Sequence, residues 1–341
     1  MEGSPRLLIS REHDRDELRR DLAAGRLVRV RRGAYAPGPA SFDAQRARVL
    51  AVHRQLVAPH VFGFASAAVV HGLHSWNRPE QVHVVVGSRP SGRSAADIAR
   101  HTAELGPAAV TTVDGLPVTT LTRTVVDCAL TMHPMEALVI ADGAMNRLEF
   151  DRDAALAQVA ARRRPNGKAR ADWVLRNAAA GTRSVWETWL RYLPLREGFP
   201  TPVVEPPVVT RLGVMHPDIG WPDLGLYVEF DGRVKYRDDG LRPGHSAERE
   251  LLAEKRRFDA IRETGVNPLR VMAADGPYRY MERLRSRLPP HLRSTLRVNP
   301  GSPFRPSASG RQFVVSACAR GHAGTTNCRP DKDDPRLGKA L

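Results

Sequence analysis

The stretch Leu226-Tyr-Val-Glu-Phe-Asp231 constrains the chain more than any other. As a strand it sends successive side chains to opposite faces of a sheet. Leu226, Val228 and Phe230 then point one way, and Tyr227, Glu229 and Asp231 the other. Such a strand has to be covered on its apolar face, and it delivers two carboxylates to one end of the other face. Ten residues separate His216-Pro-Asp218 from Glu229. If Asp218 stands beside the pair from a neighbouring strand, the acids repel one another unless protonated or bridged by a cation. A hard divalent ion such as Mg²⁺ takes such oxygen ligands, and in that position it would polarise a phosphoryl oxygen and lower the pKa of an attacking water. A solvated strand end with three unconnected acids fits the same spacing, and both readings stay open at this level.

Helices are expected on either side of this strand. Ser184-Val-Trp-Glu187 opens a segment carrying Trp186, Trp189, Leu190 and Leu193, with Ser184 as N-cap and Glu187 three residues on, the capping-box spacing. That is already a structural task for Glu187. Downstream, Glu248 to Thr264 is a charged helix with Leu251, Phe258 and Ile261 on its inner side, leaving Arg256, Arg257 and Arg262 to meet phosphates or to be solvated.

Charge narrows the partner classes. The chain of 341 residues has 52 Lys+Arg against 37 Asp+Glu, a formal net charge of +15, and nearly all of the basic residues are arginine. An anionic partner fits this balance, nucleic acid first and a membrane surface second, although an arginine-biased genome and ordinary solubility give the same composition. The richest apolar stretch, Val61 to Leu73, contains His71 and is shorter than the ~18–20 residues a membrane helix needs. The opening Met1-Glu-Gly-Ser-Pro-Arg6 lacks a charged-then-apolar signal pattern. Three cysteines (Cys128, Cys318, Cys328) build no disulfide framework. Cys318, His322 and Cys328 lack a fourth ligand for zinc. A cytoplasmic protein is expected.

The first ~35 residues read as helix, turn and hairpin. Asp14 and Glu17 give a capping-box-like start, Leu18 and Leu22 share a helix face, and Gly25 ends the helix. Arg26-Leu-Val-Arg-Val-Arg-Arg-Gly-Ala-Tyr35 then forms two short strands around a basic turn, the layout of a winged helix. Arg26, Arg29, Arg31 and Arg32 are its candidate DNA contacts, with a solvated surface hairpin as the alternative. The expected organisation is a winged-helix-like segment over residues 1–40 and an α/β domain over 41–160. A basic linker at 161–171, a second compact domain over 172–298 and a disordered tail over 299–341 follow. Within 44–160, helices are expected over Ala44–Leu56, Ser66–Leu73, Thr122–Leu130 and Met135–Leu148, and a strand over Gln81–Val86. His71, His74 and His83 have no metal spacing.

The ordered set Ser184-Val-Trp-Glu187, His216-Pro-Asp218, Glu229-Phe-Asp231-Gly232, Glu254-Lys-Arg-Arg-Phe-Asp259-Ala-Ile-Arg262-Glu-Thr-Gly265 and Leu269-Arg-Val271 resembles the domain-of-unknown-function 559 family. These are very-short-patch-repair-like endonucleases of the PD-(D/E)XK superfamily, and the resemblance covers about residues 172–275. It implies a restriction-endonuclease-like α/β (α+β) fold, a mixed central sheet flanked by helices. Asp218 and Glu229 would bind Mg²⁺ or Mn²⁺, with Glu187 assisting through the metal or its waters. The superfamily usually places a lysine two residues after the second acid. Asp231 stands there, so the resemblance leaves Lys235 or Lys255 to supply the positive group. Two of only five lysines in an arginine-rich chain fall in this block, as expected where a compact point charge is needed.

The N-terminal region resembles AbiEi-type antitoxins of type IV toxin–antitoxin systems. The resemblance runs through Leu18-Arg-Arg, Gly25 to Tyr35, Ser66-Ala-Ala-Val-Val-His-Gly-Leu73, Asp114-Gly-Leu-Pro-Val-Thr-Thr120 and Arg123-Thr-Val-Val-Asp127. It implies a winged helix joined to an antitoxin-like domain, DNA as a partner, and a cognate toxin or a repair or defence protein as a second partner. Two functions follow: a metal-dependent DNA endonuclease, or a DNA-binding regulator whose nuclease-like half has lost its chemistry.

Overall fold

A computed structural model describes residues 6–38, 43–88, 95–231 and 247–296. Lys235, the tail from 299 and the Cys318–His322–Cys328 group lie outside the described residues. The fold is mixed α+β, with four separate sheets among the described residues. No helix among the described residues is long and apolar enough to cross a membrane.

The N-terminal unit forms as its caps dictate. Helix α1 (Arg15–Ala23) starts where Asp14 accepts the amides of Asp16 and Glu17, and Gly25, at φ +69°, turns the chain out of it. Strands β2 (Leu27–Arg31) and β3 (Ala34–Pro37) make the antiparallel hairpin, and the short β1 (Leu8–Ile9) joins its other edge. Helix α2 (Ala44–Gln55), capped by Asp43, lays Ala47 and Ala51 on Leu7, Ile9, Ala34 and Ala36. Small residues on both sides let the helix approach the sheet closely.

The other face of α2 helps to cover a five-stranded mixed sheet. Its order is β6-β5-β4-β8-β7, from β4 (Val61–Phe62), β5 (Val82–Val86), β6 (Ile98–Thr102), β7 (Val110–Val113) and β8 (Leu116–Thr119). Val49 and Val52 of α2, with Val69 and Val70 of α3 (Phe64–Val70), pack on Phe62, Val82, Val84, Ile98 and Val118.

Helices α4 (Leu121–Thr131), α5 (Pro134–Met145), α6 (Arg152–Ala161), α7 (Lys168–Asn177) and α8 (Val185–Arg196) follow. They run into a second mixed sheet, ordered β14-β13-β12-β9, from β9 (Val203–Val204), β12 (Ile219–Trp221), β13 (Leu226–Phe230) and β14 (Leu269–Val271). A hairpin of β10 (Val208–Thr210) and β11 (Gly213–Met215) stands beside it. Helix α9 (Ala247–Glu263) connects the parallel pair β13 and β14, α10 (Gly276–Ser286) packs on α8, and α11 (Pro290–Thr295) is the last described helix.

The expected linker at 161–171 does not separate two cores. One apolar cluster runs from Ala68 and Val125 through Leu138, Val174 and Leu190 to Val228, Leu269 and Leu284. Residues 162–167 are the turn between α6 and α7. Gly167, at φ +80°, sits where a Cβ would run into the Leu130 carbonyl.

A buried ion pair ties this core together. Arg191 of α8 and Asp142 of α5 are each 1% exposed, with Nη1 to Oδ2 at 2.6 Å. Thr188 Oγ1 donates to the same oxygen at 2.8 Å, the Ala179 amide donates to Oδ1 at 2.9 Å, and Arg191 Nη2 reaches the Asn177 carbonyl at 2.5 Å. Removing one partner strands the other charge in the core, so Asp142→Ala is expected to cost about 3–5 kcal/mol. Asp142→Leu combined with Arg191→Met should cost clearly less. Urea denaturation of the three proteins checks this, and equal losses in both variants would contradict it.

Candidate active site

The acids named from the sequence meet at the end of β13. Strands β12 and β13 pair antiparallel with Ile219 opposite Val228, so the next step of the same register sets Asp218 opposite Glu229. The parallel pairing with β14 puts Arg270 on the far side of Glu229. Opposed residues share a sheet face, and Asp218, Glu229 and Arg270 form a row across three strands. The alternation of β13 is as read from its pattern. Leu226, Val228 and Phe230 belong to the main core, whereas Tyr227 packs on Val208 and Ile261 on the other side. Ile261 belongs to α9, and that helix covers the acid face.

Coverage explains the electrostatics. Asp218 Oδ2 accepts the Phe230 amide at 2.6 Å. Burial pushes its carboxyl up to about 7, and Glu187 and Glu229 add to the rise against the Phe230 amide and Arg257. Burial also raises Glu229, opposed by Arg257 and Arg270, with Glu254 and Asp231 pushing it further up. Two arginines offset this crowding of charge. Arg257 of α9 contacts Glu229 at 2.9 Å and donates to the His216 carbonyl at 2.7 Å. Arg270 stands 3.3 Å from Asp231, bonds Glu254, and lies 4.9 Å over the Phe258 ring.

The other candidates are placed as follows. Glu187 stands at the third position of the helix that Ser184 caps, and its side chain takes the Ser184 hydroxyl and the Arg183 amide in place of the Ser184 amide of a capping box. Its amide donates to Ser184 Oγ at 3.2 Å, while Oε1 accepts that hydroxyl at 2.9 Å and Oε2 the Arg183 amide at 2.7 Å. Both of its oxygens are thereby engaged. Asp231 is held by Arg270 and donates its amide to the Val271 carbonyl at 2.8 Å. Lys255 is exposed on α9, while Glu254 and Arg257, three apart on that helix, reach toward the sheet. Arg257 and Arg270 carry out site tasks that the sequence reading did not assign them. The signal was a three-acid strand face that needs cations from whatever covers it.

His216 and Glu205 frame the far side. Glu205, at φ +47°, donates its amide to the Asp218 carbonyl at 3.0 Å, and its own carbonyl contacts His216 Nδ1 at 2.9 Å. Its side chain holds Arg183 at 2.9 Å.

Among the described residues, no three His, Cys, Asp or Glu side chains gather in a group able to hold a metal ion. The donor set nevertheless suits a hard divalent cation at two of its expected members. Asp218 and Glu229 are adjacent carboxylates in a buried, like-charged setting, and Asp218 Oδ1 accepts no hydrogen bond among the described residues. Glu187 would have to leave its cap to join them. Cys128 is buried, and burial pushes its thiol up, away from ligand chemistry.

At the N-terminal hairpin Arg29 and Arg32 are exposed, and Arg26, also exposed, pairs with Asp21 at 2.5 Å. Arg31 departs from expectation. Its side chain is 8% exposed and donates to both oxygens of Asp97, at 2.8 and 2.9 Å, and to Gln55. The pairing of β2 with β3 shifts register between Arg29 and Arg31, and such a shift re-aims a side chain that simple alternation would send outward.

Compared with known proteins, the chain matches no family model and no curated protein. Among solved structures it is similar to the crystal structure of the RV2827C protein from Mycobacterium tuberculosis. The TM-score is 0.34 at 17% identity, over 50% of this chain and 72% of that one. A likeness of this degree carries no argument about fold or function.

The raised carboxyl of Asp218 has a defined pH signature. A folded value of about 7 against an ordinary 3.8 means that the folded state holds a proton the unfolded state releases. That stabilisation is complete below about pH 4 and is lost as pH rises through 7. Asp218→Asn is therefore expected to gain on wild type across this window, reaching about 2–4 kcal/mol above pH 7 in metal-free buffer. Denaturant melts at several pH values check it, and a pH-independent difference would contradict it. Arg31→Ala, which removes the cation held on Asp97, should lower stability in the same melts, whereas Arg29→Ala with Arg32→Ala, both at exposed positions, should leave it nearly unchanged.

Proposed function

We propose that the chain is a metal-dependent DNA endonuclease that hydrolyses phosphodiester bonds, joined to an N-terminal DNA-binding, antitoxin-like module. The observation that carries this reading is the register that sets Asp218 opposite Glu229, in a setting where burial and like charge penalise ionisation of both. Asp218 and Glu229 would hold Mg²⁺ or Mn²⁺. When bound, the ion supplies a polarised phosphoryl oxygen and an activated water.

The chain's own groups then divide the remaining work. Phe230 fixes Asp218 through its amide. Arg257 lies against Glu229, with Lys255 exposed two residues before it on α9 and Lys235 outside the described residues. Any of these cations would meet charge developing on the phosphate. Arg26, Arg29 and Arg32 supply phosphate contacts that hold the duplex without reading its sequence. A DNA partner fits the net charge of +15 and a cytoplasmic, nucleoid-associated setting. A cognate toxin or a repair or defence protein remains part of the proposal through the antitoxin resemblance.

One observation favours the second reading, a DNA-binding regulator or type IV antitoxin without catalysis. Arg257 occupies Glu229 and Arg270 occupies Asp231, so protein cations already offset much of the acid face.

Supercoiled plasmid distinguishes the two. With Mg²⁺ or Mn²⁺ the wild type should nick, EDTA should stop it, and Asp218→Ala should slow it by about a hundredfold or more while still binding DNA. If neither protein cuts and both retard DNA in a gel, the regulator reading replaces the nuclease.

A further inference from the structure

A cleft of about 270 Å³ opens between α4 and α6, lined by Arg123, Val126, Gln158, Ala161 and Arg162. It shares no residue with the row of Asp218, Glu229 and Arg270, and its argument does not rest on the function proposed for that row.

Asp127 sets the chemistry of the cleft. Its side chain is 5% exposed, accepts Arg123 Nε at 2.7 Å and stands 4.0 Å from Arg162 Nη1. Burial pushes the carboxyl up, while Arg123, Arg162 and His101 pull it down. Burial lowers His101 from its ordinary value, and Asp127 opposes that by raising it. Two guanidiniums therefore face one carboxylate, and the cleft carries a surplus positive charge. Because Asp127 takes Nε, both Nη groups of Arg123 lack a hydrogen-bond partner among the described residues. Arg162 has only its long contact to Asp127 there. Arg123 is thus held in place by a buried partner with its remaining donors free, and less order is lost when it binds.

The end of α6 would ordinarily repel an anion, since its last carbonyls carry the negative end of the helix dipole. Lys168 removes that objection by donating Nζ to the carbonyls of Ala160 and Arg162 at 2.8 and 3.2 Å. Gln158 adds an amide donor, and Val126 and Ala161 give an apolar wall. Arg163 and Arg164, both exposed, continue the positive charge along the chain.

We infer that this cleft binds a phosphoryl group. Two guanidiniums with unfilled donors match phosphate oxygens in charge and geometry. The same group occurs in a free nucleotide and in a nucleic-acid backbone, and the two sources give different results.

The full chain would be titrated calorimetrically with inorganic phosphate and with AMP in phosphate-free buffer. Binding of a short DNA duplex would be followed by anisotropy across salt. The variants are Arg162→Ala, at an exposed position, and Arg123→Lys, which keeps the charge beside Asp127 and loses the fork. Arg176→Ala, on a surface pair with Asp172, is the control. A free-phosphate site predicts saturable binding of AMP or phosphate that both cleft variants weaken by about tenfold. A backbone site predicts that Arg162→Ala lowers the salt slope for DNA by about 1. Either result supports the inference. If both variants match wild type and the control in both measurements, the cleft binds no phosphoryl group and the inference is overturned.

Discussion

Asp142 and Arg191 lie in the core with almost no exposed surface, and the relation between the two halves of the chain depends on their contact. Asp142 comes from α5, ahead of the turn at 162–167, and Arg191 from α8, after it. Two buried charges cost several kcal/mol of desolvation each, which is offset only when their remaining hydrogen-bonding capacity is met. Thr188, the Ala179 amide and the Asn177 carbonyl meet most of it. The pair therefore fixes α8 in rotation and height. Four residues before Thr188 stands Ser184, the cap of α8, and Trp186 stacks on Phe230 with ring centroids 4.7 Å apart. Phe230 in turn gives its amide to Asp218. A continuous run of contacts thus leads from the core pair to the acid row.

The acid row is a problem of charge solved by its surroundings. The strand face holding Glu229 and Asp231 receives Asp218 from β12, and α9 closes over it instead of leaving it to water. Closure deprives the carboxylates of solvent, which is why Asp218 rises to about 7. Arg257 and Arg270 respond at Glu229 and Asp231, and among the described residues the Phe230 amide is the one hydrogen-bond donor to the Asp218 side chain. Asp218 is accordingly the member of the row with most to gain from a divalent cation.

Much of this was legible in the sequence where local rules decide. The caps at Asp14 and Ser184, the strand from Leu226 and the helices after Asp43 and Thr120 are set by neighbours within a turn or two. What escaped the sequence depends on residues far apart along the chain. The linker expected at 161–171 is rich in arginine, proline and glycine, yet it only turns α6 into α7 within one core. Arg31 looked like the tip of a basic wing, but a register shift in the hairpin delivers it to Asp97, distant in sequence. Asp142 and Arg191 each left a trace, a lone charge in an otherwise apolar helix segment, which signals a buried partner without saying which one.

The central claim is that Asp218 and Glu229 form a divalent-cation site, and Mn²⁺ binding tests it most directly. Electron paramagnetic resonance of Mn²⁺ titrated into the full chain near pH 8 counts bound ions without relying on activity. The account predicts saturable binding of Mn²⁺ that is displaced by Mg²⁺ and lost in Asp218→Asn. Binding that is absent in wild type, or unchanged in Asp218→Asn, would contradict it.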